Sequence, residues 1–298
     1  MSVLEELRAA LPTLTIKENE KLSEHCTFRI GGECTAFLEP ATEEEIVVIC
    51  RILRSHGEKP LLIGNGSNLL ITDAYLERIV LHLGSAYAAV EQRSETVLYA
   101  QSGVTLYKLA TAAADLALTG LEFAHGIPGT LGGAVSMNAG AYGGEMVQVV
   151  RSVRYLSAEG EILETTEPDF AYRHSRFSDT DDIILGAEIE LQKGDESAIR
   201  AQMHTLMEKR RASQPLELPS AGSTFKRPVG GYAAALIDQA GLKGFTVGGA
   251  QVSEKHAGFV VNKGGASCED VLALMKAVQE KVYANSGIEL EPEVKMVL

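Results

Sequence analysis

The stretch from Leu121 to Glu145 constrains the fold more than any other part of the chain, because it carries seven glycines. Glycine removes side-chain bulk where a backbone must bend or lie close to another group. A flexible linker would be polar and rich in serine, whereas here Ile127, Leu131 and Val135 alternate with the glycines. The pattern therefore predicts a packed segment whose backbone lies along a large flat ligand. A mobile surface loop is the alternative interpretation.

A second glycine loop, Gly64-Asn65-Gly66-Ser67-Asn68, follows a short apolar run. Its consecutive N–H groups, two amides and hydroxyl form a suitable nest for a pyrophosphate. It is not a Rossmann fingerprint, since Leu69 stands where the third glycine belongs. Alone, such a loop is more often a simple turn. Together with the first glycine stretch, it predicts a dinucleotide site.

Composition limits the classes of protein that remain. The chain has 298 residues, of which 45% are hydrophobic and 22% are charged, so we expect an ordered core and two domains. A net charge of −13 disfavours nucleic-acid partners and anionic membrane surfaces. The four cysteines show no close pairing that would indicate a zinc site or a disulfide framework. No apolar run reaches membrane-spanning length, and we expect no membrane insertion, no obligate protein partner and a cytoplasmic location.

Hydrophobic periodicity predicts α+β organisation, with a boundary between residues 195 and 196. The expected helices begin near Val3, Thr42, Thr105, Glu196, Ala233 and Ser267. The third should bury Leu116 and the fourth Leu206 and Met207. Expected strands cover residues 28–30, 60–63, 78–83, 96–101, 182–191, 258–262 and the terminal run from Ile288, with a hairpin around residues 158–160.

Several polar side chains could carry chemistry, although local sequence alone leaves their roles open. Ser223 lies beside Lys226 and Arg227, without the G-x-S-x-G elbow of a serine hydrolase. Local sequence alone slightly favours the alternative, a loop serine that forms a local turn. Arg173 lies among aromatic residues, where a surface ion pair and a buried role are equally compatible with the sequence. The histidines have no metal-ligand spacing, so no metal site is predicted.

Six motifs together resemble the UDP-N-acetylenolpyruvoylglucosamine reductase family, and they occur in that family's order from about residue 20 onward. They are TFRIGG (27–32), GNGSN (64–68), GIPGTLGGAVSMNAGAYGGE (126–145), YRHSRF (172–177), AGSTFKRP (221–228) and LEPEV (290–294). The resemblance implies a vanillyl-alcohol-oxidase (PCMH)-type FAD-binding domain at 1–195, with its core at about 27–192. A smaller α+β substrate-binding domain would follow at 196–298, and its final strand is a candidate for returning to the FAD domain.

The resemblance also implies the site residues. Non-covalent FAD would be held by Gly64, Asn65, Gly66, Ser67, Asn68, Gly126, Ile127, Pro128, Gly129, Gly132, Gly133, Asn138, Gly140 and Tyr142. Ser223 would donate a proton, while Arg173 and Glu293 would act at the substrate carboxylate. Glu293 is preferred to Glu291 because it directly precedes the Val-Lys pair. Lys226 and Arg227 would contact substrate, UDP-N-acetylglucosamine enolpyruvate, with NADPH as the reductant.

Two departures from the family pattern leave the uridine diphosphate contacts open. The chain has no space for the tyrosine-bearing loop of one subgroup, and Arg227 replaces an asparagine of the longer subgroup. Two rival functions remain at this point. One is an oxidase of the same flavin fold, although the Ser-Gly-Gly-His motif for covalent flavin is absent. The other is a nucleotide-binding module without catalysis.

Overall fold

The computed structural model describes residues 2–298 and contains seven α-helices within that range. These are α1 (Val3–Ala10), α2 (Glu43–Ser55), α3 (Leu106–Asp115), α4 (Leu131–Ser136), α5 (Glu196–Ser213), α6 (Ala233–Gln239) and α7 (Cys268–Ser286). The chain folds into two compact units. One unit contains the residues up to Glu18, 36–65 and 78–208, and the other contains 19–35, 66–77 and 209–298.

The strands are short and are numbered in chain order. They are β1 (Thr15–Lys21), β2 (Glu33–Glu39), β3 (Leu61–Ile63), β4 (Leu69–Ile71), β5 (Leu76–His82), β6 (Val90–Gln92), β7 (Val97–Gln101), β8 (Leu118–Thr119), β9 (Gly140–Ala141), β10 (Gly144–Glu145), β11 (Val150–Leu156), β12 (Ile162–Thr165), β13 (Ile183–Glu190), β14 (Gln192–Lys193), β15 (Ser220–Ser223), β16 (Thr246–Val247), β17 (Ala250–Val252), β18 (Phe259–Asn262) and β19 (Lys295–Val297).

The first unit contains most of a four-stranded sheet, β1-β2-β5-β3, and the whole of a five-stranded sheet, β12-β11-β13-β7-β6. Helix α2 begins where the Thr42 hydroxyl accepts the Glu45 N–H at 3.1 Å, which satisfies a backbone donor of the first turn. It buries Ile46, Ile49 and Leu53, at the spacing of one helix face. The predicted hairpin is confirmed, since Leu156 pairs with Ile162 across the turn.

The second unit is organised around the sheet β15-β18-β17-β16 and the parallel pair β19-β4. Helix α7 starts at a capping box between Ser267 and Asp270 and ends at Gly287, whose φ is +71°. Its buried residues are Cys268, Val271, Leu274, Met275, Val278 and Val282. The pairing of Lys295 with Leu69 joins the final strand to the segment after the second glycine loop.

Four predictions about elements are wrong. Residues 28–30 form no strand, because Arg29 (φ +56°) and Gly31 (φ +152°) turn the backbone out of the extended region. Helix α3 ends at Asp115, so Leu116 is 42% exposed. Leu206 and Met207 on α5 are only partly buried. The terminal strand is confined to Lys295–Val297.

The predicted boundary between residues 195 and 196 stays a prediction. The division between the two units falls after Glu208, within α5, and the second unit also takes in two earlier segments of the chain.

Candidate functional site

The glycine-rich stretch is packed, as its interleaved apolar residues predict. Leu131, Val135 and Ala139 are at most 5% exposed and join one hydrophobic cluster of the first unit. Backbone hydrogen bonds fix the segment on both sides of Thr130. Leu106 N–H donates to Gly129 O at 3.0 Å, and Leu131 N–H donates to Val104 O at 2.8 Å. The mobile-loop interpretation is therefore wrong.

The start of the second glycine loop lies against this stretch. Asn65 Nδ2 donates to the Pro128 carbonyl at 3.1 Å. A Cβ built on Gly64 would lie 2.3 Å from Thr130 Oγ1, so any larger residue would push the two segments apart. The structure thus brings the two predicted cofactor segments into contact at Gly64, Asn65, Pro128 and Thr130. The sequence analysis did not single out Thr130, because only the fold shows that this residue packs against Gly64.

Two adjacent glycines at the start of α4 differ in their surroundings. A Cβ on Gly132 would lie 2.9 Å from the Cβ of Ser102, and Gly132 N–H donates to Ser102 O at 2.8 Å. At Gly133 the nearest atom would be Thr130 Oγ1 at 3.8 Å, and the residue is exposed. Gly132 is therefore needed for packing within the protein, whereas Gly133 leaves its side of the backbone open.

The donors around these segments suit a polar, phosphate-bearing ligand. The N–H groups of residues 64–68 donate no backbone hydrogen bond within the described chain, and Gly66 adopts a φ of +57°. Ser102 Oγ and His125 Nδ1 are buried and have no hydrogen-bond partner in residues 2–298. Burial lowers the pKa of His125, which keeps its ring neutral. Unused N–H donors in the second glycine loop and an open backbone at Gly133 are each compatible with a phosphate-bearing cofactor, and binding of FAD by these residues stays a prediction.

Arg173 lies next to the glycine-rich stretch, in a turn that hydrogen bonds hold in place. Ala171 and His174 form a bridge around it, and Arg173 adopts a φ of +54°. Ser175 Oγ donates to Ser136 O at 2.8 Å, which ties the turn to the end of α4. The Arg173 guanidinium lies 3.5 Å from the Gly140 carbonyl. The sequence left open whether Arg173 forms a surface ion pair or has a buried role, and the structure shows the side chain partly buried next to Gly140.

Two other predicted cofactor residues have surroundings that the sequence did not reveal. Asn138 Nδ2 donates to Glu145 Oε2 at 3.2 Å and to Ala171 O at 3.1 Å, while its Oδ1 accepts the Val147 N–H at 3.0 Å. This side chain therefore holds the Arg173 turn in place. Tyr142 has a φ of +54° and is 45% exposed. Direct cofactor contact by either residue stays a prediction.

In the second unit, Ser223 lies at the end of β15, beside the segment that contains Glu293. Glu293 N–H donates to Thr224 O at 2.8 Å, and Phe225 and Pro292 form a bridge. Asn68 of the glycine loop donates through Nδ2 to the Glu293 carbonyl at 3.2 Å. The Ser223 hydroxyl takes part in no hydrogen bond within the described part of the chain, so its proton is available to a ligand.

The two nearby cations have different partners. Lys226 forms an ion pair with Glu291, and its N–H donates to Glu291 O at 2.8 Å. Arg227 lies over the Tyr232 ring, with its guanidinium carbon 4.3 Å from the centroid. Lys226 therefore neutralises Glu291. The assignment of Glu293 as the acidic residue of the site stays a prediction.

The described residues contain no group of three or more His, Cys, Asp or Glu side chains that could hold a metal ion. No helix in the described range is long and apolar enough to cross a membrane.

Comparisons with known proteins agree along nearly the whole chain. The family described as FAD binding domain matches residues 34–166. The family described as UDP-N-acetylenolpyruvoylglucosamine reductase, C-terminal domain, matches residues 214–297. The chain is 46% identical over 284 residues to UDP-N-acetylenolpyruvoylglucosamine reductase of Clostridioides difficile strain 630, covering 95% of this chain and 93% of the relative.

Solved structures show the same relationship. The chain is similar to the crystal structure of UDP-N-acetylenolpyruvylglucosamine reductase from Thermus caldophilus, with a TM-score of 0.81 and 31% identity over 96% of this chain and 99% of that one. An alkyldihydroxyacetonephosphate synthase shares the fold alone, with a TM-score of 0.51 and 17% identity over 64% of this chain and 40% of that one.

Proposed function

The chain belongs to the UDP-N-acetylenolpyruvoylglucosamine reductase family, and we propose that Arg173, Ser223 and Glu293 carry its catalysis. As a member of this family it is an FAD-dependent oxidoreductase, which reduces UDP-N-acetylglucosamine enolpyruvate to UDP-N-acetylmuramate in peptidoglycan precursor synthesis. NADPH is the co-substrate. The predicted α+β fold, with a vanillyl-alcohol-oxidase (PCMH)-type FAD domain and a second C-terminal domain, is confirmed.

When bound, FAD would supply the chemistry of hydride transfer between NADPH and the double bond of the enolpyruvyl group. In our proposal, the loop 64–68 binds its pyrophosphate with backbone N–H groups, and residues 126–142 bind its flavin and ribityl parts. The partnerless N–H groups of the loop and the open backbone at Gly133 support this assignment.

The catalytic side chains act on the substrate. Hydride addition leaves negative charge next to the substrate carboxylate, and Arg173 stabilises that charge with a guanidinium. Glu293 orients and polarises the enolpyruvyl group at its carboxylate. Ser223 gives its proton to the remaining carbon. The observation that carries this role is the Ser223 hydroxyl, which lies beside the Glu293 segment and has no protein partner among residues 2–298.

The substrate's phosphates and the location of the enzyme complete the proposal. Lys226 and Arg227 bind the diphosphate, and Lys226 or a water molecule restores the Ser223 proton. A cytoplasmic location is supported by the four cysteines, which are all buried free thiols. No nucleic acid or obligate protein partner is needed for this reaction.

The visible spectrum of the purified protein tests the proposal. Under anaerobic conditions, NADPH should bleach the flavin absorbance, and the enolpyruvyl sugar nucleotide should restore it. UDP-N-acetylglucosamine, which lacks the enolpyruvyl group, is the matched control and should restore nothing. Recovery only with oxygen would indicate an oxidase of the same fold. A protein without flavin would contradict the assignment of both glycine segments.

A further inference from the structure

The five-stranded sheet of the first unit has one apolar face and one polar face. One face carries four side chains that are 0% exposed, Leu98, Val153, Ala187 and Ile189. On the other face, Glu188 stands opposite both Tyr99 and Ser152, and Arg154 stands opposite Glu164. A sheet that only covered a core would leave this second face flat and solvated.

A cavity of about 650 Å³ lies on the polar face. The sheet forms one wall, and the first residues of α2 together with Tyr87 form the others. None of the residues proposed above to bind cofactor or substrate lines this cavity. It is therefore a separate feature of the first unit, large enough for a small organic molecule.

The charges that line the cavity do not balance. It is lined by five carboxylates and two guanidiniums. The Arg154 guanidinium donates to the two carboxylate oxygens of Glu43 at 2.9 and 2.7 Å. Arg93 forms an ion pair with Glu91 at 2.9 Å. Within residues 2–298, Glu44 and Glu164 form no ion pair. The cavity therefore carries excess negative charge that a cation would neutralise.

Two hydroxyls give a second, independent indication of a ligand. Tyr87 is 1% exposed and Ser152 is 3% exposed, and both line the cavity. Neither hydroxyl has a hydrogen-bond partner in the described residues. Burial, and then the nearby Tyr99 and Glu43, raise the pKa of Tyr87, which keeps its hydroxyl neutral. Each hydroxyl is thus free to accept a hydrogen bond from a ligand donor in the cavity.

We propose that this cavity binds an organic polyammonium ion, such as a linear polyamine. Ammonium groups are pure hydrogen-bond donors, which matches the unpaired carboxylates of Glu44 and Glu164 and the hydroxyl oxygens of Tyr87 and Ser152. A metal ion fits less well, because no group of three possible ligands occurs among residues 2–298 and the volume exceeds what an inorganic cation fills. Several ammonium groups joined by alkyl chains suit the charge, the volume and the separate acceptors.

Calorimetric titration of the flavin-loaded protein with spermidine, at fixed ionic strength, tests the proposal. We expect one saturable site per chain. Glu44→Gln and Glu164→Gln should each weaken binding about fivefold, as loss of one ion pair predicts. Tyr87→Phe should also weaken binding without lowering the melting temperature, since its hydroxyl has no protein partner.

Glu161→Gln is the matched control, because Glu161 is exposed in the same hairpin as Glu164 and lies outside the cavity. It removes the same charge and should leave spermidine binding unchanged. Equal weakening by Glu161→Gln and Glu164→Gln would show diffuse attraction to an acidic surface and would overturn the proposal. Absence of saturable binding would overturn it too, as would binding of an oligolysine peptide without binding of spermidine.

Discussion

Ser223 is a residue whose removal should change chemistry without changing stability, since its hydroxyl forms no hydrogen bond within residues 2–298. We expect Ser223→Ala to slow reduction of the enolpyruvyl substrate severely. Flavin reduction by NADPH should stay close to normal, because that half-reaction needs no proton from Ser223. Stopped-flow absorbance of the two half-reactions measures both rates.

Ser220→Ala is the control for this prediction. It removes a hydroxyl from the same strand, where Ser220 Oγ accepts only a long 3.4 Å contact from Gly222 N–H. Both half-reactions should be normal in this variant. Equal slowing of the two half-reactions in Ser223→Ala would rule out the proton-donor role.

Arg173 tests the charge stabilisation. Arg173→Ala should lose about 2–4 kcal/mol of transition-state stabilisation, by analogy with removed oxyanion donors, and kcat/KM measures this loss. Arg173→Lys keeps the charge without the planar fork and should recover only part of it. His174→Ala, in the same turn, should be nearly normal because that side chain is exposed. Unchanged turnover in Arg173→Ala would remove Arg173 from the site.

Sequence can nominate candidate site residues whose motifs are local, but not those defined by distant neighbours. Arg173 and Ser223 stand in recognisable strings, so their positions could be predicted. Ser102 and Thr130 could not, because their importance comes from Gly132 and Gly64, which the fold alone brings to them. The three hydrogen bonds that hold Asn138 were equally hidden, since two of its partners are backbone groups.

At the scale of elements, the two glycines at the start of α4 separate packing within the protein from ligand approach. Gly133→Ala should leave the apoprotein as stable or slightly more stable, because the site is open and alanine favours a helix by about 0.5–1 kcal/mol. FAD affinity should nevertheless fall, since the added methyl occupies the proposed cofactor side. Urea unfolding of the apoprotein and fluorescence titration with FAD measure the two effects.

Gly132→Ala provides the comparison. Its Cβ would lie 2.9 Å from the Cβ of Ser102, so the apoprotein itself should lose roughly 1–3 kcal/mol. Normal FAD affinity in Gly133→Ala would place the cofactor away from this backbone.

Helix α7 should show a defined pH dependence through Asp270. Its Oδ2 accepts N–H groups of Gly249 at 3.0 Å and of Ser267 at 3.1 Å. These bonds lower the pKa of Asp270. Its contribution to stability is therefore complete above the ordinary pKa of aspartate and is lost as the pH falls through the lowered value.

Asp270→Asn should accordingly be less stable than the natural protein at neutral pH, and the difference should narrow in acid. Urea midpoints across the acidic range measure it. Glu269→Gln removes a neighbouring charge that is exposed. Its stability should differ little from that of the natural protein at every pH in this range. A constant difference at all pH values for Asp270→Asn would show that the carboxylate charge is not responsible.

Elements with caps and regular periodicity were predicted well, as α2 and α7 show. The predictions failed where a backbone conformation depends on residues far along the chain. The TFRIGG segment reads as strands, yet a Cβ on Gly32 would lie 2.3 Å from Ala74 O, so tertiary contact sets its path. Leu116 was assigned to the buried face because periodicity continues past Asp115, whereas Ala117 turns out of the helix at φ +53°.

At the scale of the whole molecule, the second unit depends on residues from the first third of the chain. Thr27 Oγ1 donates to Ser220 O at 2.6 Å, Asn262 Nδ2 donates to Phe28 O at 3.3 Å, and β19 pairs with β4. A fragment of residues 196–298 lacks all of these partners. We expect it to show no cooperative urea transition by circular dichroism, whereas the full chain should show one.

A sharp transition in the fragment would instead support the domain boundary predicted from sequence. That boundary rested on a change of pattern after residue 195, which is a local property. Pairing of Lys295 with Leu69 is not local, and nothing in either short strand specifies the other.

The pairing of β19 with β4 has a consequence during synthesis. Leu70 and Ile71, both fully buried in the finished protein, leave the ribosome long before their partner strand exists. The ribosome must first add residues 72–294, which takes roughly 10 to 45 s at usual translation rates. Throughout that interval the nascent chain exposes an unpaired apolar strand edge, which is the kind of surface that chaperones bind. The chain should therefore depend on chaperones more during translation than when the intact protein refolds from denaturant.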